Sequence, residues 1–269
     1  MAKYRLGVIG AGNMAEAIVR GILQANLLKT TELIAADTTP ARQDLFNQEL
    51  GVTCRENFAD FSNQCETLLL AVKPQVMQAV METLAGQIPD QQRIISIAAG
   101  VRCQRIEQVL GHQARVVRVM PNTPMLVGAG MSAVCGGTLA TQADVDAVLK
   151  IFAAGGLAMQ VTEAQMDAVT AVSGSGPAYV FYLVEVLAQA GTAVGLSPEA
   201  AAKLARQTIV GAGQLLASSP LPPEQLRKNV TSPGGTTQAA IEEMQAHNLA
   251  GVIRMGVEAA ARRSAELSR

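Results

Sequence analysis

Near its amino terminus the chain places a short apolar run directly before two closely spaced glycines. Residues 5–9 read Arg-Leu-Gly-Val-Ile, which is typical of a buried strand, and Gly10 and Gly12 follow at once. Apolar side chains then recur at helical spacing from Ala15 onward. In this order Gly10 makes a tight turn, Gly12 lets the backbone approach a pyrophosphate, and the small Ala15 allows close packing of helix on strand. The pattern predicts a dinucleotide-binding unit.

Further along the chain, apolar strand-like runs alternate with helical patterns. The strand-like runs lie at 33–36, 67–72, 93–97, 116–120, 131–135 and 158–161, and helical patterns at 39–50, 76–87, 103–110 and 142–154 separate most of them. This alternation predicts a parallel sheet with helices on both faces. From about residue 163 only helical patterns continue, interrupted by prolines. We therefore expect an α/β protein with a Rossmann-type domain, residues 1–162, followed by an all-helical dimerisation and substrate-binding domain, residues 163–269.

Charge, cysteine content and hydropathy narrow the class of protein. The net charge of −1 gives no reason to expect nucleic acid or a membrane as a partner. Four cysteines without a Cys-x-x-Cys pair, and only two histidines, predict no metal site and no disulfide framework. The first apolar run is too short for a signal segment, so we expect a cytoplasmic protein. The long apolar stretch 177–196 contains Glu185 and Gln189, and we interpret it as a helix covered by another subunit rather than a membrane span.

Asp37 ends the second predicted strand, where an acidic residue normally binds the adenosine ribose. In this interpretation its carboxylate favours NAD(H), because it repels the 2′-phosphate of NADP(H). Thr39 and Arg42 follow closely and would offer that phosphate a hydrogen bond and a charge. Alternatively, Asp37 only starts a turn and caps the next helix. Both interpretations stay open at this point, and so does the choice between the two cofactors.

The turns after the third and fourth predicted strands should also line the cofactor, because ligands of open parallel sheets lie outside the carboxyl ends of the strands. These turns consist of Ala71, Val72, Lys73 and Pro74, and of Ala98, Ala99 and Gly100. The fifth strand ends in Met-Pro-Asn-Thr-Pro, residues 120–124, where two prolines fix a loop suited to the substrate or the nicotinamide.

Two glycine-rich segments open helices in the second half of the chain. Residues 231–237 read Thr-Ser-Pro-Gly-Gly-Thr-Thr, and residues 173–179 read Ser-Gly-Ser-Gly-Pro-Ala-Tyr. Backbone N–H groups at a helix start have no partner within the helix and bind anions. Both segments are therefore candidates for one anion-binding pocket, with Ser175 or Gly176 capping the second helix. The same residues are also usual at helix starts that bind nothing.

Taken together, these segments resemble the pyrroline-5-carboxylate reductase family. The resemblance rests on six motifs in order, at residues 7–14, 71–74, 98–100, 120–124, 173–179 and, most specifically, 226–241. It implies NAD(P)H-dependent reduction of the C=N bond of 1-pyrroline-5-carboxylate to L-proline. It also implies a homo-oligomer built from dimers, with the active site at the dimer interface between the nicotinamide and the loop 231–237.

The resemblance implies roles for individual residues. Thr237 would be catalytic, through a hydrogen bond to the ring nitrogen of the substrate. Together with the loop argument above, the residues expected to bind substrate are Ser232, Gly234, Gly235, Thr236, Thr237 and Ser175. Those expected to bind NADP(H), or NAD(H), are Gly10, Ala11, Gly12, Asn13, Met14, Asp37, Asn57, Ala71, Val72, Lys73, Pro74, Ala98, Ala99 and Gly100. Two positions depart from many members: Asp37 replaces a small polar residue, and the Pro-rich segment 218–224 differs where they carry a Glu.

The side-chain inventory favours an imine as substrate. A ketone reductase must protonate a developing alkoxide, and related hydroxyacid dehydrogenases place a lysine on the first long helix of the second domain. Residues 178–196 contain no lysine, arginine or histidine. A protonated cyclic imine is already electrophilic and requires only orientation and exclusion of water. The alternatives are a hydroxyacid dehydrogenase and a dinucleotide-binding regulator without catalytic activity.

Overall fold

A computed structural model describes residues 2–111 and 113–268. Contacts between Cα atoms define two compact units in these residues. The first comprises the described residues up to Ser175 together with those from Ala260 onward, and the second is Gly176–Ala259. The predicted division at residue 162 stays a prediction, since the contacts group residues 163–175 with the first unit.

The first unit is built on one eight-stranded sheet. Its strands are β1 (Tyr4–Ile9), β2 (Leu33–Ala36), β3 (Cys54–Arg55), β4 (Cys65–Leu70), β5 (Arg93–Ser96), β6 (Arg115–Met120), β7 (Gly130–Gly136) and β8 (Gly156–Gln160). They lie in the order β3-β2-β1-β4-β5-β6-β7-β8. Neighbours are parallel as predicted, except that β7 runs antiparallel to β6.

The direction of β7 follows from the length of its connection. Parallel neighbours need a crossover of about a dozen or more residues, usually a helix. Here β6 ends at Met120, β7 begins at Gly130, and only the short 3₁₀ turn Thr123–Val127 lies between them. The chain therefore returns beside β6 in the opposite direction, and the prediction of a wholly parallel sheet was wrong at this pair.

Among the described residues, six α-helices lie wholly in the first unit: α1 (Asn13–Gln24), α2 (Pro40–Asp44), α3 (Pro74–Leu84), α4 (Cys103–Leu110), α5 (Gln142–Ala153) and α6 (Met166–Val169). The predicted helix 39–50 is divided into α2 and a π-helical turn, Leu45–Glu49. Successive residues of β1 point to opposite faces, so Val8 packs in one apolar core with Ile18 of α1, and Ile9 packs in another with Met77 of α3. Helices on both faces of the sheet are thereby confirmed.

The second unit is all-helical, as predicted. Its helices are α7 (Gly176–Ala193), α8 (Pro198–Ser218), α9 (Pro223–Asn229), α10 (Thr236–Ala246) and α11 (Leu249–Leu267), the last of which continues into the first unit. Helices α7 and α8 pack closely, because Gly191 lets the backbone of α7 approach the buried Ala201 of α8.

Many apolar side chains of the second unit face solvent in the isolated chain. Helix α7, which lies wholly within the described part of the chain, has no buried residue, and Phe181 and Tyr182 are 61% and 67% exposed. Leu204 and Leu215 of α8 and Ile253 of α11 are exposed as well. The helical segment Glu163–Ala193 is long and apolar enough to span a membrane by length and composition. Contiguous apolar surface of this kind marks a protein or membrane contact.

Candidate active site

Four neighbouring strands of the sheet end at the same level. Ile9 lies beside Ala36 and Leu70, and Leu70 lies beside Ser96, so the turns that follow β2, β1, β4 and β5 emerge at one edge. A cavity of about 810 Å³ opens at this edge. Seven of the predicted cofactor-binding residues line it, namely Gly10, Gly12, Asp37, Asn57, Ala71, Val72 and Lys73.

Glycine is present at residues 10 and 12 of the first turn for different steric reasons. Gly10 has φ of 92°, and its N–H donates to the carbonyl of Ala36 at 2.8 Å. A Cβ at residue 10 would lie 2.9 Å from the carbonyl of Ala71, so only glycine allows this approach between the turns. At Gly12, by contrast, no atom lies within 4 Å of the position that a Cβ would take. Its backbone is open on the side from which a ligand would come.

The start of α1 presents unpaired donors next to this open side. The first hydrogen bond of the helix runs from the N–H of Glu16 to the carbonyl of Gly12 at 2.9 Å. The N–H groups of Gly12, Asn13 and Met14 have no partner among the described residues, and no side chain caps the helix. A row of free N–H groups at the positive end of a helix fits a pyrophosphate. The residues present therefore suit a dinucleotide.

The carboxylate of Asp37 ties the glycine turn to α2. One oxygen accepts the N–H of Ala11 and the other accepts the N–H of Thr39, each at 2.8 Å. Asp37 thus starts the turn, as one of the two interpretations predicts, but it does not cap α2, whose N-cap residue is Thr39 and which has no side-chain capping hydrogen bond. It also lines the cavity, where its oxygens keep further acceptor capacity for a ribose. The ribose contact stays a prediction.

Arg42 lies in the same cavity wall but is already engaged by protein groups. Its Nε donates to the carbonyl of Ala11, and its Nη2 lies 2.8 Å from a carboxylate oxygen of Glu16. Burial would raise the pKa of Glu16, but hydrogen bonds from Arg42 and Arg20 outweigh burial and lower it. Sequence reasoning missed Glu16, since only its spacing of four from Arg20 is visible in the sequence.

The remaining predicted cofactor residues lie outside this cavity. Three of them, Ala11, Asn13 and Met14, are neighbours of its lining residues in the glycine turn and at the start of α1. The other four are Pro74, Ala98, Ala99 and Gly100, in the turns after β4 and β5. Pro74 and Gly100 instead line a second cavity of about 710 Å³. Gly100 has φ of 75°, and a Cβ there would lie 3.0 Å from Leu267. Packing against the end of α11 thus explains this glycine without a ligand, and contacts of residues 98–100 with the cofactor stay a prediction.

In the second unit, the loop before α10 presents another row of free donors. Gly234 has φ of 71°, and its N–H donates to Gln238 Oε1 at 2.8 Å. The helix begins at Thr236, and among the described residues nothing accepts from the N–H groups of Thr236, Thr237 and Gln238. Such an end binds a carboxylate. A Cβ at residue 235 would lie close to Ser232 Oγ and 3.1 Å from the Ser232 carbonyl oxygen, so a side chain there would displace Ser232.

Thr237 does not cap this helix. Gly235 is the N-cap residue, and no side chain makes a capping hydrogen bond to α10. The Thr237 side chain is half-buried, and its hydroxyl has no hydrogen-bond partner in residues 2–111 and 113–268. The hydroxyl is thus available to a ligand.

The segment 173–179 opens α7 where predicted, since the helix begins at Gly176 directly after Ser175. Helix α6 and a π-helical turn, Thr170–Gly174, precede it, and the N–H of Ser175 donates to the carbonyl of Thr170 at 2.8 Å. Asn122, in the loop after β6, donates to the carbonyl of Ser173 at 3.0 Å. The structure thereby brings together the motifs 120–124 and 173–175 within the first unit. A role of Ser175 in substrate binding stays a prediction.

Comparisons with known proteins agree with this geometry. Residues 163–267 match the family model described as pyrroline-5-carboxylate reductase dimerisation, and residues 5–100 match that described as NADP oxidoreductase coenzyme F420-dependent. The pyrroline-5-carboxylate reductase of Pseudomonas aeruginosa is 40% identical over 100% of this chain and 98% of its own.

Solved structures show the same likeness over the whole chain. The structure of a pyrroline-5-carboxylate reductase from Coxiella burnetii has 34% identity and a TM-score of 0.92, with 99% of each chain covered. The pyrroline carboxylate reductase of Plasmodium falciparum, solved with NADP bound, has 30% identity and a TM-score of 0.85, with 100% of each chain covered. With full-length identity at this level, the chain belongs to the pyrroline-5-carboxylate reductase family.

Proposed function

We propose that this chain is a pyrroline-5-carboxylate reductase, which reduces the C=N bond of 1-pyrroline-5-carboxylate with NAD(P)H and releases L-proline. The observation that carries the proposal is the 40% identity over the full length with a reductase of that name. The free N–H groups at the starts of α1 and α10 supply the two anion sites that this reaction needs, one for a pyrophosphate and one for a carboxylate.

The cofactor-binding role falls to the turns at the edge of the sheet. The N–H groups of Gly12, Asn13 and Met14 hold the pyrophosphate, and Asp37 and Asn57 lie in the same cavity wall for the ribose. When bound, the reduced nicotinamide supplies a hydride. NADP(H) is the expected cofactor, in keeping with the NADP-bound relative, and NAD(H) is an alternative that Asp37 favours.

The substrate-binding role falls to the loop before α10. The N–H groups of Thr236, Thr237 and Gln238 bind the substrate carboxylate, and the Thr237 hydroxyl orients the ring nitrogen. Ser232, Gly234 and Ser175 complete the set that the family resemblance implies. Because α7 offers no lysine, arginine or histidine, the chain contributes orientation and exclusion of water rather than a strong acid.

The protein works as a homo-oligomer built from dimers. Support comes from the dimerisation family match over residues 163–267 and from the exposed apolar side chains of α7, α8 and α11. A second copy of the chain would cover this surface, so no membrane is needed to explain it. We propose that the protein is cytoplasmic and that nucleic acid is not a partner.

The experiment is an assay of the purified protein with 1-pyrroline-5-carboxylate and, separately, NADPH and NADH. We expect loss of nicotinamide absorbance that depends on the imine, with one cofactor preferred. A 2-hydroxy acid with the oxidised cofactors is the matched control, and no turnover is expected there. Turnover of the hydroxy acid alone would indicate a dehydrogenase, and cofactor binding without turnover of either substrate would indicate a regulator.

A further inference from the structure

Two buried cysteines meet behind the start of α4. Cys103 is the first residue of that helix, Cys135 lies in β7, and each is 1% exposed. Their sulfur atoms and a carboxylate oxygen of Glu163 all lie within 4.8 Å of one another. The sequence separates the three residues widely, so no spacing rule would have paired them. The fold alone creates this dithiol cluster, Cys103, Cys135 and Glu163.

A buried cation stands beside the cluster. Arg118 of β6 is the cross-strand partner of Cys135, is 2% exposed, and keeps Nη2 without a partner among the described residues. Its Nη1 lies 3.4 Å from Glu163 Oε1, which also accepts the N–H of Cys103 at 2.7 Å. A buried guanidinium cannot lose its charge and is stabilised by an anion. Glu163, already shared with the helix start, is one such anion, and Arg118 also lowers the pKa of Cys135, its cross-strand partner.

The two thiols differ in acidity for this reason. The hydrogen bond from Cys103 lowers the pKa of Cys135, and Arg118 acts in the same direction. The pKa of Cys103 is raised by its bond with Cys135 and by burial. Cys135 is therefore the more acidic of the two thiols, and Cys103 is the hydrogen-bond donor beside it. The more acidic thiol reacts first with an oxidant, because the thiolate is the nucleophile.

The engagement of Glu163 disfavours a metal ion at this place. Two thiols and a carboxylate would suit Zn²⁺ by ligand type. However, Glu163 Oε1 already accepts the N–H of Cys103 and lies beside Arg118 Nη1. The two thiols alone are too few ligands for a zinc site, whereas a disulfide needs no further ligand.

We propose that Cys103 and Cys135 form an intramolecular disulfide when the protein meets a hydroperoxide. The Cys135 thiolate attacks one peroxide oxygen, the O–O bond breaks, and the leaving oxygen takes a proton to become water or an alcohol. The Cys103 thiol then attacks the resulting sulfenic sulfur; the S–S bond forms, the S–O bond breaks, and the hydroxide leaves with the proton of Cys103 as water. Two thiols are oxidised to one disulfide and one peroxide is reduced.

The surroundings allow this step for one pair only. The Glu163 side chain, 31% exposed, is the member of the cluster that contacts solvent, and a small peroxide has to pass it to reach the two buried sulfur atoms. The two sulfurs lie within 4.8 Å of each other and must approach to about 2.05 Å, so disulfide formation requires the two side chains to move. The other two cysteines are less acidic: burial and the charge of Asp37 outweigh Arg42 and raise the pKa of Cys54 to about 11, and burial raises that of Cys65 to about 12. Both should stay reduced.

The test treats the full-length protein with hydrogen peroxide, blocks free thiols, and analyses the intact protein and its peptides by mass spectrometry. We expect free thiols to fall from four to two, with a Cys103–Cys135 linked peptide and full recovery after dithiothreitol. A linked peptide that contains Cys54 or Cys65, or four free thiols after a dose that oxidises free cysteine, would overturn the proposal.

Single variants assign the two steps. In Cys103→Ser, the sulfenic acid on Cys135 has no resolving thiol and should be trapped by dimedone. In Cys135→Ser, Cys103 should give no dimedone adduct, and in Cys65→Ser, a matched buried control, the disulfide should form as in the wild type. Stoichiometric Zn²⁺ binding that both cluster variants abolish, with no disulfide in the wild type, would contradict the proposal and identify a metal site. Because the wild-type peptide map needs no variant, a variant that fails to fold leaves the test intact.

Discussion

The hydroxyl of Thr237 is the single group whose removal most cleanly separates catalysis from stability. Since Gly235 caps α10, Thr237→Ala should leave the helix start and the melting temperature unchanged. A lost oriented hydrogen bond costs roughly 0.5–1.5 kcal/mol, more with a charged partner. We therefore expect kcat/KM for the imine to fall about tenfold or somewhat more, because about 1.4 kcal/mol corresponds to tenfold.

Two further variants complete this prediction. Thr237→Ser keeps the hydroxyl and should retain most of the activity, whereas Gly235→Val drives a side chain into Ser232 and should abolish substrate binding while sparing cofactor affinity. Melting temperature, NADPH affinity and imine reduction are measured on all three proteins. Wild-type efficiency in both Thr237→Ala and Gly235→Val would mean that the substrate site lies elsewhere.

Asp37 sets the cofactor ratio if its carboxylate faces the ribose. Asp37→Ser removes the repulsion of a 2′-phosphate and should raise the efficiency with NADPH relative to NADH. Glu16→Gln is the companion variant, because it weakens the contact that holds Arg42 and leaves Asp37 unchanged. Arg42 could then turn to the 2′-phosphate, so the ratio should shift in the same direction by less. Steady-state kinetics with both cofactors give the ratio. A ratio that does not change in Asp37→Ser would leave Asp37 as a turn residue only.

Among residues, the sequence predicted those whose roles depend on near neighbours. Gly10 is required by the turn itself, and its strand–turn–helix context is local, so its position was predictable. The pairing of Arg42 with Glu16 and the meeting of Cys103 with Cys135 depend on tertiary contacts between distant segments. Neither leaves a period or spacing in the sequence.

At the level of secondary structure elements, Asp144 links α5 to the sheet. It forms a capping box with Thr141 and pairs with Arg93 of β5 and Arg115 of β6, while being 1% exposed itself. Asp144→Ala would leave two partly buried cations without their anion, and breaking such a pair costs about 3–5 kcal/mol. Asp146→Ala, an exposed change on the same helix, should cost within about 0.5 kcal/mol. Urea unfolding measures both.

The same carboxylate should make stability depend on acid pH. Burial would raise the pKa of Asp144, but hydrogen bonds from Thr141 and Arg93 and the charge of Arg115 outweigh it and lower the pKa. A lowered folded pKa means that the stabilisation is present above the unfolded value, about 3.9, and is lost as pH falls through the folded value. Wild type should therefore lose more stability on acidification than Asp144→Asn. Equal pH dependence of the two would refute the assignment.

Prediction of the elements worked where an apolar pattern was complete and failed where there was none. Strand β2 and helix α4 were predicted with their observed bounds, because their apolar periodicity is complete. The two-residue strand β3 carries no period at all. The direction of β7 depends on the missing crossover helix after Met120, which composition does not reveal.

For the whole molecule, the apolar surface of the second unit predicts an obligate oligomer. Phe181→Lys places a charge on the exposed apolar face of α7 and should shift the protein towards monomer, with loss of activity. Leu27→Lys changes an exposed leucine of the first unit and is the matched control, for which no change of mass is expected. Light scattering reports the mass. A stable and active wild-type monomer at low concentration would contradict the prediction.

At this scale, the order of motifs predicted more than any physical pattern did. Strand and helix alternation gave an α/β unit followed by helices, but many reductases share that architecture. The Ser-Pro-Gly-Gly loop and the five other motifs indicated one family, and the full-length similarity confirmed that family. Affinity and cofactor preference are differences of a few kcal/mol between similar contacts and cannot be obtained from motif order.

The central claim is the reduction of a cyclic imine to an amino acid, and its most direct test is product analysis. Purified protein is incubated with 1-pyrroline-5-carboxylate and NADPH, with an NADH reaction in parallel, and the amino acid is quantified on a chiral column. We expect one L-proline for each reduced cofactor consumed. In Thr237→Ala, the rate of L-proline formation should fall strongly. Consumption of cofactor without L-proline, or no reaction with either cofactor, would contradict the claim.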